Sequence, residues 1–242
     1  MALSACGTTL KATSSTAAPK LPQGFSSYSA VRSALLPLIR HGTALPVLLP
    51  ASIPRNGVVH GAKTVIDASY RASHQGYRLS LFYGVPLPVN SPKVGESGNA
   101  GFLMEVRGAP TEADLKVATS FGPTESTIAS GTSEAVSLGH GLTGTLVTGP
   151  LNGGTAYSMT WQEDGWTFVI PSTMGIGGSP VRAATSLASW AEGMKLPGED
   201  GKVVFTFGSD GPSIAIFRLG SAWYSLYANG WQAARFASTM VP

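Results

Sequence analysis

Gly154-Thr155-Ala156-Tyr157-Ser158-Met159-Thr160-Trp161-Gln162-Glu163-Asp164-Gly165-Trp166-Thr167-Phe168-Val169-Ile170 is the stretch whose pattern decides the fold. Residues 155–162 and 166–170 are rich in Thr, aromatic and β-branched residues, which suit a pleated, half-buried surface. Side chains alternate across a strand, so Tyr157, Met159 and Trp161 share one face of the first run. Trp166, Phe168 and Ile170 share one face of the second. Glu163-Asp164-Gly165 lies between them, and Gly165 tolerates the positive φ that a tight turn needs. The spacing predicts a β-hairpin with one apolar face, which another layer must cover.

That layer is sought downstream first. Ser179 is placed as an N-cap and Pro180 at the first helical position, which opens a helix over 181–195 before the Pro197-Gly198 stop. Strands are expected over 202–207, 213–219 and 222–227, and a closing helix over 231–240. Upstream, Tyr28, Val31, Leu35, Leu38 and Ile39 recur at helical spacing over 28–40, with Pro37 expected to kink or end the helix. Leu45-Pro46-Val47-Leu48-Leu49-Pro50 is fenced by prolines and reads as an extended segment or an edge strand. Strands follow over 64–72, 77–83 and 102–107, the first two joined through His74-Gln75-Gly76. Further strands are expected over 113–119, 133–138 and 145–148.

Segments 154–170 and 211–227 align without gaps at a spacing of 57 residues, matching Trp166 to Trp223. Each is followed by an Ala/Ser-rich helix carrying a Trp, which suggests a β-β-β-α unit used twice. The expected fold class is α+β: a twisted antiparallel β-sheet with two or three helices packed on one face. Residues 1–24 form a tether and 25–242 one β-rich body, divisible into sub-halves 25–139 and 140–242.

Composition agrees. The chain is 43% hydrophobic and only 12% charged, against a usual value of about 25% charged. In place of charge stand 30 Gly and 17 Pro, the residues of a turn-rich β body. The net charge is +3, and no Lys/Arg cluster marks a nucleic-acid footprint. No run of 18 apolar residues occurs, so no membrane-spanning helix is expected.

Leu3-Ser4-Ala5-Cys6 resembles the lipobox of bacterial lipoproteins, an aliphatic residue and two small residues before a cysteine. The resemblance implies that Cys6 receives a diacylglycerol, that the preceding signal-peptide segment is removed, and that fatty acyl chains such as palmitate hold the body at a membrane. It further implies an apolar, basic-led segment encoded before Met1. Cys6 is the only cysteine, so no internal disulfide forms. The small, Thr/Ser and Pro residues over 7–22 suit a flexible tether.

Catalytic signatures are sparse. Gly139-His140-Gly141-Leu142-Thr143-Gly144 has the letters of a dinucleotide loop, but a strand-like stretch follows where a helix N-terminus is required. Turn glycines explain it, and no cofactor is expected. His41, His60, His74 and His140 lack metal-ligand spacing. Glu163 and Asp164 are expected to point in different directions. The aromatic residues Trp161, Trp166, Trp223 and Tyr227 are the candidate ligand-binding residues, because strand aromatics can line an apolar groove for a lipid, peptide or glycan.

These readings point to a lipid-anchored, extracytoplasmic protein of the bacterial envelope that binds or senses a ligand without catalysing a reaction. The alternatives are an envelope hydrolase with a converged Asp/Glu/His site and a purely structural or assembly lipoprotein.

Overall fold

Period-2 alternation in the strands and helical periodicity in α-segments put apolar side chains on facing surfaces, and one core forms between them. The structure, a computed structural model, describes residues 21–53, 65–96, 100–116, 128, 130–151, 153–174, 179–198, 200–205, 212–230 and 232–241. Cys6 and residues 7–20 lie outside them, but the end of the expected tether belongs to the body: Leu21 packs on the core, Gln23 bridges to Pro88 and the Gly24 N–H bonds to the Leu87 carbonyl.

The chain runs α1 (Tyr28–Gly42), β1 (Leu49–Pro50), β2 (Val65–Ser73), β3 (Gly76–Gly84), β4 (Ala100–Ala109) and α2 (Glu112–Lys116). It continues with β5 (Thr132–Gly139), β6 (Leu142–Leu151), β7 (Gly154–Glu163), β8 (Trp166–Met174) and α3 (Pro180–Ala191). It closes with β9 (Gly201–Phe205), β10 (Pro212–Leu219), β11 (Ala222–Asn229), α4 (Gln232–Ala237) and β12 (Met240–Val241). Ten strands form one sheet in the order β2-β3-β4-β11-β10-β9-β8-β7-β6-β5, and β1 pairs with β12. The α+β class is as expected. The sheet is mixed rather than wholly antiparallel, because α3 carries the chain back across it and β9 pairs parallel with β8.

Helices α1, α3 and α4 contribute to a single apolar cluster with Leu79, Leu81, Met104 and Leu226 of the sheet. Helix α1 presents Val31, Leu35 and Ile39. It continues through Pro37 to Gly42, so the proline does not end it. Pro37 and Ser33 are both exposed, so the carbonyl that loses its partner faces solvent.

The proline-fenced segment 45–50 lies across the core under three tyrosines. The Tyr77 hydroxyl donates to the Leu48 carbonyl at 2.8 Å and accepts from the Leu48 N–H at 3.0 Å. Tyr28 donates to the Pro50 carbonyl and Tyr224 to the Pro46 carbonyl.

Three other segments differ from the sequence reading. The strand expected over 113–119 begins as helix α2, where the Thr111 hydroxyl accepts from the Asp114 N–H and acidic residues fill the first turn; residues 117–119 lie outside the described residues. The last helix stops at Ala237, and Met240 joins β12. Helix α3 ends at Ala191 rather than Lys195, because Gly193 adopts a φ of +75°.

The glycine-rich stretch is a hairpin turn. Gly139 pairs with Leu142, and Gly139, His140 and Gly141 all have positive φ. The 139/140 division therefore falls inside the β5–β6 hairpin of one continuous sheet.

The two proposed units lie side by side, β6-β7-β8-α3 and β9-β10-β11-α4, as a repeated β-β-β-α order requires. Their register corrects the sequence alignment by one residue. The turn after β7 is Asp164-Gly165 and the turn after β10 is Gly220-Ser221. Superposed on their turns, Trp161 matches Phe217, Phe168 matches Tyr224 and Ile170 matches Leu226, all buried. The cross-strand pairs Trp161–Phe168 and Phe217–Tyr224 both stack, with centroids 5.1 and 5.5 Å apart. Trp166 then matches Ala222 and not Trp223. A one-residue slip moves a side chain to the other face, so Trp166 is buried under the helices while Trp223 is half-buried on the opposite face.

Candidate functional site

The β7–β8 turn builds the site. Asp164 and Gly165 both have positive φ, the geometry of a two-residue turn that matches the strand twist. Glu163 and Trp166 therefore stand directly opposite each other at the end of the hairpin. On the other side, α3 ends when the Glu192 N–H bonds to the Ala188 carbonyl and Gly193 reverses the chain. Residues 194–196 then fold back over the hairpin, and a cavity of about 300 Å³ remains between them.

Its apolar wall comes from Trp166, Phe168, Ala191, Met194 and Leu196. Its polar groups are Glu163, Asp164 and Lys195. The indole of Trp166 is fixed by its surroundings. Gly201 pairs with it in parallel register, and a Cβ at Gly201 would lie 2.6 Å from the benzo-ring carbons. Phe217 pairs with Gly201 from the other side and packs on Trp166 at 5.6 Å. The absence of a side chain at Gly201 lets the two aromatic residues meet across β9. Phe168, Trp161 and Phe205 form a cluster of near-parallel rings, with centroids 5.1 to 6.3 Å apart.

Two polar atoms of cavity-lining residues are buried without a hydrogen-bond partner: Oε2 of Glu163 and Nε1 of Trp166. Nε1 of Trp161 is in the same state behind Phe168. Buried donors and acceptors are normally paired, so unpaired ones call for a cause. Burial raises the Glu163 pKa above the ordinary glutamate value, and the neighbouring Asp164 and Glu192 carboxylates push it the same way. Glu192 itself lies 3.5 Å from the His140 ring on the exposed rim.

The four aromatic candidates do not converge. Trp166 lines the cavity and Trp161 supports its Phe168 wall. Trp223 and Tyr227 occupy the opposite face of the sheet, where Tyr227 packs on Phe102 at 4.9 Å. That face also carries a salt-bridge network. Glu105 accepts from the Ser80 hydroxyl at 2.6 Å and from Arg78 at 2.8 Å, and pairs with Arg107 through its other oxygen. Burial lowers the Arg107 pKa, and the Glu105 carboxylate opposes that shift. The network is internally paired and frames no described cavity.

Glu163 and Asp164 are a correction to the sequence reading, since both line one cavity. The signal in the sequence was the hairpin itself: a two-residue Asp-Gly turn forces its flanking residues to stand opposite each other. Tyr157 is also displaced, because a register shift between Tyr157 and Met159 turns Ala156 into the core in its place. Among the described residues no group of three His, Cys, Asp or Glu could hold a metal ion. The chain matches no protein-family model, no curated protein and no solved structure.

Proposed function

We propose that this protein is a non-enzymatic, lipid-anchored binding protein of the bacterial cell envelope whose ligand site is the cavity beside Trp166. The observation that carries the binding half is the cavity of about 300 Å³ walled by Trp166, Phe168, Ala191, Met194 and Leu196 and bordered by Glu163, Asp164 and Lys195. A concave hollow with mostly apolar walls and a few polar groups is the usual form of a small-molecule site. The volume lies at the small end of such sites and suits one compact amphipathic group rather than a long acyl chain. The anchoring half rests on Leu3-Ser4-Ala5-Cys6 and the small-residue stretch after it.

Filling the hollow tests the binding half. Met194→Trp adds bulk from the half-buried cavity rim without removing a core contact. Wild-type protein should show a saturable rise in melting temperature with single-ring alcohols and amines, and folded Met194→Trp should show none. Equal shifts in both would exclude the cavity. The anchor is tested by expressing the gene with its native upstream sequence in a bacterium. Wild type should enter the detergent phase and Cys6→Ser should not, because acyl chains supply the membrane affinity. An unmodified Cys6 in the intact mass would remove the anchor.

A further inference from the structure

We infer that the outer edge of β5 is an interface at which two copies of this chain pair antiparallel, joining their sheets into one across a two-fold axis. The inference is independent of the cavity and of the lipid anchor.

The two edges of the large sheet differ. At β2 the outward backbone groups are met. Ile66 exchanges both backbone hydrogen bonds with Phe25, each at 2.8 Å. The Ala68 carbonyl accepts from the Asn90 N–H at 3.0 Å, and the Tyr70 N–H donates to the Asn90 side-chain oxygen at 2.6 Å. At β5, the other end of the sheet order, no described residue pairs with the outer side. Thr132, Ser133, Glu134, Ala135 and Ser137 are exposed. An open row of N–H and C=O groups templates a further strand, and proteins blunt such edges with proline, lysine, a bulge or a covering segment. Residues 132–137 include no proline and no lysine. The one register shift of β5 falls after Ser137, beside the turn, and leaves 132–137 regular.

The occupant follows from what the edge lacks. A peptide recognised by strand addition is selected through pockets for its alternate side chains. Ser133, Ala135 and Ser137 form a row of small side chains, and the described cavity lies at β7 and β8, on the inner side of β6. A second β5 needs no pocket. Antiparallel pairing about an axis through Ala135 sets Ser133 opposite Ser137 and Glu134 opposite Val136, so no like charges stand directly opposite. Residues paired in this way point to the same side of the sheet, so α3 of both copies stays on one face. Among the described residues each copy offers one open edge of the large sheet, so the pairing closes as a dimer and does not propagate.

Sedimentation equilibrium of the full chain carrying Cys6→Ser, which removes the only thiol, tests this. A single strand pair is a small interface, so the mean mass should rise from 24.9 kDa toward twice that value at protein concentrations on the order of 100 µM. Ser133→Lys with Ala135→Lys crowds four ammonium groups at the axis and should weaken association about tenfold at unchanged melting temperature. Leu219→Lys, at an exposed position beside the β10–β11 turn, should leave association unchanged. In the same Cys6→Ser background, Ala135→Cys should be joined by a short bis-maleimide much faster than Leu219→Cys. A mass fixed at 24.9 kDa through that range overturns the inference. Association undiminished in the double lysine variant, or equal cross-linking at 135 and 219, places the contact on another surface and also overturns it. A mass that climbs past the dimer overturns the two-fold closure.

Discussion

Glu163 is a partly buried carboxylate that the fold does not fully satisfy. It stands opposite Trp166 in the hairpin, and its Oε2 gains no hydrogen bond. Burial first, then Asp164 and Glu192, raise its pKa above the ordinary 4.5. A raised carboxylate favours the protonated form in the folded state. The favourable contribution is therefore present below pH 4.5 and is lost as pH rises through the raised folded value. Glu163→Gln removes this group from the titration. The slope of melting temperature against pH between 4.5 and neutrality should flatten in the variant, which should melt higher than wild type at pH 7. An unchanged slope would show that Glu163 is well solvated.

At the scale of elements, the strap over the core is held by tyrosine hydroxyls as well as by the buried side chains of Val47, Leu48 and Leu49. Tyr77 satisfies both backbone groups of Leu48, and Leu48 is 2% exposed. Tyr77→Phe keeps the ring and leaves a buried N–H and a buried carbonyl unpaired. It should cost about 1–3 kcal/mol by urea denaturation, and a change below about 0.5 kcal/mol would mean that water replaces the hydroxyl. Most elements were legible in the sequence because alternation and helical spacing are local properties. Segment 166–170 held its expected face because Trp166, Phe168 and Ile170 all turn inward. The failures came from non-local causes. Whether Pro37 breaks α1 depends on which side of the helix meets solvent. Whether Trp223 follows Trp166 depends on turns placed one residue apart, and a letter-for-letter alignment favours the matching tryptophans over the matching turns.

At the scale of the whole molecule, the described residues are organised on a ten-stranded sheet whose one parallel junction among them, β8–β9, lies beside the cavity. That junction requires α3 to cross the sheet and end over the β7–β8 hairpin, and the chain after α3 closes the hollow. The site was only half legible for this reason. Trp166 was visible as a strand aromatic, but residues 191–196 meet it only through the crossover. Trp223 and Tyr227 share its composition and not its face. The most direct test follows the indole N–H resonances in a ¹H–¹⁵N spectrum, with Trp166 and Trp223 assigned from their Phe variants. Titration with phenethylamine or phenethyl alcohol should move the Trp166 Nε1–H signal in a saturable way and leave the Trp223 signal in place. A Trp166 signal that stays fixed, or a Trp223 signal that moves instead, would contradict the placement of the ligand site.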